Sequence, residues 1–599
     1  MITDTRVPCW LVGLVVLCWT PAARAIDDPS FDFKTLTTPH FYVHYEQRLR
    51  PLARRSARLA EQAHADLAPL LGHRPEKRTH VVLDDRVDLA NGSANVFGRN
   101  VVKLYATPPA PDGVLGYYND WLKVLIYHEY VHILHLDTRG EVLPWTDYLL
   151  GKQFHPNAVL PGWYVEGLAV LEESRLTGTG RNNSALFQMW LRTAALSDRF
   201  FSLGTATGLP EAWPQGTAPY LYGGAFTDYI ADTHGQSFFR TFNHRYGRRI
   251  IPFALNKTAE DISGKTFHRL WKEWTAAEYG RAVARTIRVE AEGGTELEYL
   301  TEGGNLHRYP RMRPGTRQVS FYKSDLETNE RFAVVEHGDT RVRTLHPAEG
   351  VTGSADWTPD GETLVYGRQT VYGSTYTYQD LYAWHAESDS VVRMTRKERA
   401  RDPAVSPDGD RLAYVRNRRG TMDLVVCART GTELNDCRAV AGGAVTDPGT
   451  RRHWQQISGP TWAPDGGAVV FSRWQLDTGR RDLWRWNRKS GELQQLTDDR
   501  AQQLDPTFGP DGSLYYASDR TGIFNIYRRR RPTGESHRVS NVVRGVFHPR
   551  VSPNGEWIYV SAYTDDGYEL ARFEHPVSGA DARSTTANTE KQPAPPDVS

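Results

Sequence analysis

The run His128-Glu129-Tyr130-Val131-His132 sets two imidazoles four residues apart with a carboxylate beside the first, and Glu166 follows in a Trp-Tyr-Val-Glu-Gly-Leu-Ala stretch at 163–169. Side chains four apart lie on one face of a helix, so His128 and His132 can meet a single ion. Glu129 sits between them without being a ligand, where it can take a proton from an attacking water. With Glu166 as third ligand one coordination position stays open, which separates a catalytic zinc from a structural one. The expected chemistry is hydrolysis at one Zn2+ held by His128, His132 and Glu166, with Glu129 as proton carrier. His135, a turn further on, is expected to orient a ligand or touch substrate, and Asp137 to serve there too. Glu172 and Glu173 read by default as solvated helix surface, with a hydrogen bond to a ligand histidine as the alternative.

Two helices must hold these groups. Residues 119–137 read as a helix capped by Asn119 or Asp120, apolar on most sides and so largely buried. Pro161 suits the first turn of the helix that carries Glu166. Ahead of them, 40–45 and 79–85 read as strands, 50–71 as an amphipathic helix with an arginine-rich outer face, and 100–109 as a strand ended by prolines. Asn100, Val102 and Leu104 of that last strand are the expected substrate-binding residues, as an edge that pairs with an extended peptide.

From about residue 290 the texture changes. The turns Pro359-Asp360-Gly361, Pro407-Asp408-Gly409, Pro464-Asp465-Gly466, Pro510-Asp511-Gly512 and Pro553-Asn554-Gly555 repeat, preceded by a degenerate Pro314-Gly315-Thr316. Successive prolines lie 45, 48, 57, 46 and 43 residues apart, the period of four-stranded propeller blades. Six copies predict six blades. The last blade lacks an outer strand. Residues 297–304, which resemble 494–499 at the end of blade four, are expected to complete it and leave no free edge.

The chain has 599 residues and a net charge of +1, which gives no reason to expect nucleic acid or an anionic membrane as partner. Residues 1–25 read as a signal peptide, with Arg6, an apolar run at 7–19 and Ala-Arg-Ala at 23–25, so export to the periplasm or the medium is expected. No later segment is long and apolar enough to cross a membrane. Cys9 and Cys18 fall in the signal, and Cys427 and Cys437 are expected to form a disulfide. The polar tail at 576–599 reads as disordered. No G-x-S-x-G elbow, P-loop or dinucleotide fingerprint is present.

On these residues the chain resembles two families joined head to tail. Residues 26–288 resemble a gluzincin-type zinc metallopeptidase of the peptidase MA-like group, and residues 289–575 resemble a TolB-like six-bladed β-propeller. The fold implied is multidomain α+β: a mixed α/β then helical zincin-like domain, followed by an all-β propeller. The resemblance implies that Tyr220, in Tyr-Leu-Tyr-Gly at 220–223, donates to the oxyanion, with Tyr222 second. Related aminopeptidases hold the substrate's N-terminus with a Glu near the strand before the metal helix. Between Asn91 and Lys123 there is none, which favours internal cleavage. The function implied is an exported zinc metallopeptidase acting on a peptide or protein, its propeller docking substrate or an envelope protein. The competing reading is a non-enzymatic envelope scaffold with a vestigial peptidase domain.

Overall fold

The computed structural model describes residues 32–140, 147, 151–249, 253–325, 328–373, 375–531 and 534–575. The expected signal peptide and the expected disordered tail lie outside the described residues. The N-terminal half is α+β. Its sheet is ordered β1 (Phe33–Thr37), β2 (Phe41–Glu46), β3 (Thr79–Asp84), β5 (Val101–Tyr105), β4 (Gly92–Asn95). The inner strands β2, β3 and β5 are parallel, while β1 and β4 run antiparallel along the two edges. Phe41, Val43 and Tyr45 alternate inward on β2 and pack against α1 (Arg50–Leu71). Arg55 departs from the expected arginine-rich outer face of α1. It is buried, pairs with Asp120, and stacks over Trp454 of the C-terminal half at 5.2 Å.

Next comes α2 (Trp121–Leu136), started by Asp120, whose carboxylate accepts from the Lys123 backbone N–H at 3.1 Å. All of α2 but Lys123 and Leu136 is buried, so its helical state is fixed by packing on every side. The remaining helices are α3 (Gly162–Thr177), α4 (Ala185–Leu196), α5 (Ala218–His234), α6 (Ser237–Gly247), α7 (Leu255–Ser263) and α8 (Phe267–Ala291). Helix α8 runs past the expected changeover at 288/289, and the first strand after it, β6, is Glu298–Tyr299.

The C-terminal region is β-propeller-like, built from antiparallel blades, of which one and six join into a single sheet through the parallel pairing of Leu306 with Tyr568. Their first strands are Leu306–Met312, Val351–Trp357, Ala400–Val405, Gln455–Trp462, Gln503–Phe508 and Val546–Val551. Each first strand touches the next, and the sixth touches the first. The recurring glycines 315, 361, 409, 466, 512 and 555 take φ between 64° and 76°, as the turn into the second strand requires. A second repeat escaped the sequence reading. Every first strand carries a bulge at a residue with φ between 50° and 81°: Tyr309, Gly353, Asp402, Gly459, Asp505 and His548. In five of the six, proline follows. Cys427 and Cys437 are joined by a disulfide between the third and fourth strands of blade three.

Blade six is completed by β6, which pairs antiparallel with Gly567–Glu574. Thr301, just beyond β6, donates to Glu569 at 2.6 Å and accepts from the Leu570 N–H at 2.9 Å. Thr497 does the same for Asp482 (3.0 Å) and Leu483 (2.9 Å) in blade four. The likeness of 297–304 to 494–499 is thus one hydrogen-bonding device, which recurs at Thr395 of blade two with Asp380 and Leu381 and at Ser540 of blade five with Asn525 and Ile526. Residues of the second-to-third-strand hairpins meet the N-terminal half: Thr377 accepts from Asp88 N–H at 2.9 Å, and Asp565 pairs with Arg199 at 3.1 Å. The N-terminal half therefore sits on the face opposite the Pro-Asp-Gly turns. Replacing Thr301 with Val removes both buried bonds, together with the contact to His307 Nδ1 at 2.8 Å, and should cost about 1–3 kcal/mol. Thermal unfolding of Thr301→Val should show a lowered midpoint; a midpoint equal to that of the exposed-site control Thr340→Val would deny the closure a stabilising role.

Candidate metal centre

Helix α2 presents His128, Glu129 and His132 to a cleft of about 470 Å³, walled also by β4, α3 and Tyr220. His128 Nε2 and His132 Nε2 are 3.2 Å apart, and Glu166 Oε2 lies 3.4 and 3.3 Å from them. Three donors about 2.0–2.1 Å from a tetrahedral ion are separated by roughly 3.3 Å, so the triangle matches that spacing. Among the described residues this is the one group of three arranged to hold a metal ion. Glu166 Oε2 is shut from solvent with no hydrogen-bond partner, the condition of a ligand oxygen aimed at a cation.

Charge points the same way. His128 Nδ1–H donates to Glu173 Oε2 at 2.9 Å, an orientation that turns Nε2 toward the triangle, where a metal ion would take the place of its proton. Glu173 Oε1 accepts from the Arg181 backbone N–H at 3.1 Å, and the Arg181 guanidinium stands 3.7 Å from Oε2. Glu129, Glu166 and Glu173 thus face one arginine, a deficit that a divalent cation neutralises. Burial pushes the Glu129 carboxyl up, and the two imidazoles pull it back. Burial also opposes the Glu166 charge, yet His132 and His128 hold it far below the usual range. Burial and Arg181 oppose protonation of His128, but Glu166 and Glu173 carry it up to about 9.

Two glycines bring the remaining wall into place. A Cβ on Gly167 of α3 would stand 2.5 Å from the Gly223 carbonyl of α5, and one on Gly223 would overlap the Trp163 carbonyl. The helices therefore cross in backbone contact, tied by the Thr227 hydroxyl donating to Gly167 O at 2.9 Å. That crossing sets the Tyr220 ring 6.0 Å from the His128 ring and under the Arg181 guanidinium at 4.8 Å. Burial, with Glu166 beside it, raises the phenol, so it stays a neutral donor. Tyr222 points instead into the core, against Phe200, Phe201 and Trp271.

Several expected roles are corrected. Asn100, Val102 and Leu104 do not form the substrate edge, because β4 pairs along β5 and covers it. Asn100 turns to Asp137 at 3.0 Å and Lys152 at 2.6 Å, while Val102 and Leu104 are core. The edge beside the cleft is β4, with Gly92, Ser93 and Ala94 lining it. A Cβ on Gly92 would lie 2.6 Å from Glu129 Oε1, so a larger residue there would push the carboxylate from this position. His135 is buried outside the triangle, and neither ring nitrogen has a partner. Asp137 serves Asn100 and Lys152, not a ligand. Glu172 and Glu173 are both fully buried: Glu173 orients His128, and Glu172 accepts from Gln236 at 2.7 Å.

A family model described as the TolB beta propeller domain, PD40, matches residues 451–598. An uncharacterized protein of Treponema pallidum is 29% identical over 203 residues, 34% of this chain and 18% of that protein. The uncharacterized peptidase YuxL of Bacillus subtilis is 29% identical over 120 residues, 19% of this chain and 18% of that protein. A protein TolB homolog of Chlorobium luteolum is 25% identical over 183 residues, 29% of this chain and 38% of that protein. The chain spans less than two fifths of these curated relatives. The C-terminal region is thus a TolB-like β-propeller. For the helix crossing, Gly223→Ala should lower stability by about 1–3 kcal/mol through overpacking. At Gly280 of α8 an added Cβ meets nothing within 4 Å, and Gly280→Ala should raise stability by about 0.5–1 kcal/mol. Thermal unfolding of the two variants checks the opposite signs.

Proposed function

We propose that the chain is an exported zinc-dependent peptidase that cuts within peptides. The observation that carries this reading is the triangle of His128, His132 and Glu166 with Glu129 beside it in an open cleft. When bound there, zinc supplies a Lewis acid that makes water a nucleophile near neutral pH and polarises the scissile carbonyl. Glu129 takes the proton of the attacking water and hands it to the leaving amine. The raised carboxyl of Glu129 suits that two-way transfer. Tyr220 donates its phenol hydrogen to charge that develops on the carbonyl oxygen in the transition state. Arg181 over the ring face supports that orientation. Glu173 fixes the His128 tautomer.

The free edge of β4 supports peptide binding by strand addition, with its small residues letting a backbone approach Glu129. Glu129 and Glu166 are the only carboxylates lining the cleft among the described residues. Neither is spare to hold a free amino terminus, and this supports internal cleavage over trimming. YuxL carries the name peptidase, but the match reaches 18% of that protein, so the reading rests on the cleft. The scaffold alternative gives Glu129 no task, although its burial is costly.

Glu129→Gln should keep zinc and lower cleavage of unfolded casein by about 10²–10⁴-fold. Wild-type-like turnover in that variant would remove Glu129 from the mechanism, and a wild type that takes up zinc yet never cuts would favour the scaffold. Glu173→Gln should weaken zinc affinity by about 10–100-fold, read by competition with a chromogenic chelator. Unchanged affinity would mean that Glu173 does not hold His128 for the metal.

A further inference from the structure

A second cavity, about 400 Å³, lies on the propeller axis among the six first-strand bulges. The propeller lines it with Arg308, Arg311, Arg401 and Arg550 against Asp402 and Asp505. Asp356, 3.8 Å from Arg311, offsets a third arginine. Two more carboxylates come from the other half of the chain: Asp88, which also lines the cavity and is taken up by Arg399, and Asp112. Asp112, on the connection between β5 and α2, reaches into the cavity and pairs with Arg308. It accepts from the Tyr309 hydroxyl at 2.6 Å and lies 3.5 Å from His548 Nε2. All three receiving residues belong to the first strands of blades one and six. The propeller therefore carries a carboxylate receptor of its own, filled by an aspartate that is not part of it.

That aspartate is joined to the metal cleft by two residues. Val114 and Leu115 line both cavities, as does Ala90, so the three form the wall between them. An outside carboxylate that takes the place of Asp112 keeps Arg308 paired, so the exchange leaves no buried charge uncompensated, while Asp112 regains water. We propose that Arg308, Tyr309 and His548 form a binding subsite for the carboxylate of an acidic peptide entering the propeller axis. Such a ligand displaces Asp112 and draws Val114 and Leu115 away from the cleft wall. The inference does not rest on the peptidase reading, and a protein that never cuts would leave it intact.

The test uses the full chain carrying Glu129→Gln, so that the probe is not consumed, and fluorescein-labelled tetraglutamate followed by anisotropy. Adding Asp112→Ala removes the internal competitor and should tighten binding by about tenfold or more. Adding Tyr309→Phe to that variant should weaken it by about three- to tenfold. Labelled tetraglutamine should bind to neither. Tetraglutamate should also speed hydrogen exchange of the 107–118 amides while Asp112 is present. If Asp112→Ala fails to fold, the near-isosteric Asp112→Asn gives the same comparison. Equal affinity with and without Asp112, indifference to Tyr309→Phe, equal binding of tetraglutamine, or unaltered exchange would each make Asp112 a permanent structural tie and overturn the proposal.

Discussion

Three carboxylates, Glu129, Glu166 and Glu173, are brought together against α2, and the rest of the N-terminal half is arranged around the cost of that. An ionised carboxylate taken out of water is destabilising by several kcal/mol unless it is paired. Here the available positive charge is one guanidinium, Arg181, and whatever the two imidazoles accept. Each neighbouring choice follows from that imbalance. Glu173 is held by the Arg181 backbone and His128, Gly92 makes room for Glu129, and Glu166 aims a solvent-free oxygen at the triangle. A core with this charge pattern is poorly compensated by protein groups alone, which is the ground for proposing a divalent cation there.

The two halves are joined by more than a linker. Arg399 of blade three reaches Asp85 and Asp88 at 2.7 and 2.6 Å. Arg192 of α4 donates to the Val543 and Arg544 carbonyls, both at 2.7 Å. These bonds are buried or nearly so and come from different parts of the ring, so the propeller frames the sheet, the cleft and the β5–α2 connection together. The Pro-Asp-Gly turns face away from this contact.

Legibility followed physical cause. The meeting of His128 and His132 is readable because helix periodicity alone puts side chains four apart on one face, whereas the approach of Glu166 depends on a second helix packing against the first. The blade period was readable because a tight turn needs Pro and Gly at fixed places, and the closing strand because Thr301 repeats the hydrogen bonds of Thr497. The edge of the sheet is not legible for an equally physical reason. Val101–Tyr105 has the apolar alternation of a strand, whereas Gly92-Ser93-Ala94-Asn95 is small and polar and carries no such pattern. Glu173 reads as surface on charge alone; only the tertiary approach of α3 to α2 turns it inward. Arg181 opens a single 3-10 turn, Arg181–Asn183, and its role depends wholly on what folds around it. The bulge ring, by contrast, leaves a signal in the sequence, a proline in five of six first strands, fainter than the Pro-Asp-Gly repeat beside it.

The most direct measurement is a zinc-edge anomalous difference map from crystals of the protein grown with zinc. The account predicts one strong peak inside the triangle, about 2.0–2.1 Å from His128 Nε2, His132 Nε2 and Glu166 Oε2, with Glu129 outside the coordination sphere. No peak there, or a peak that recruits Glu129 as a ligand and closes the site, would contradict it.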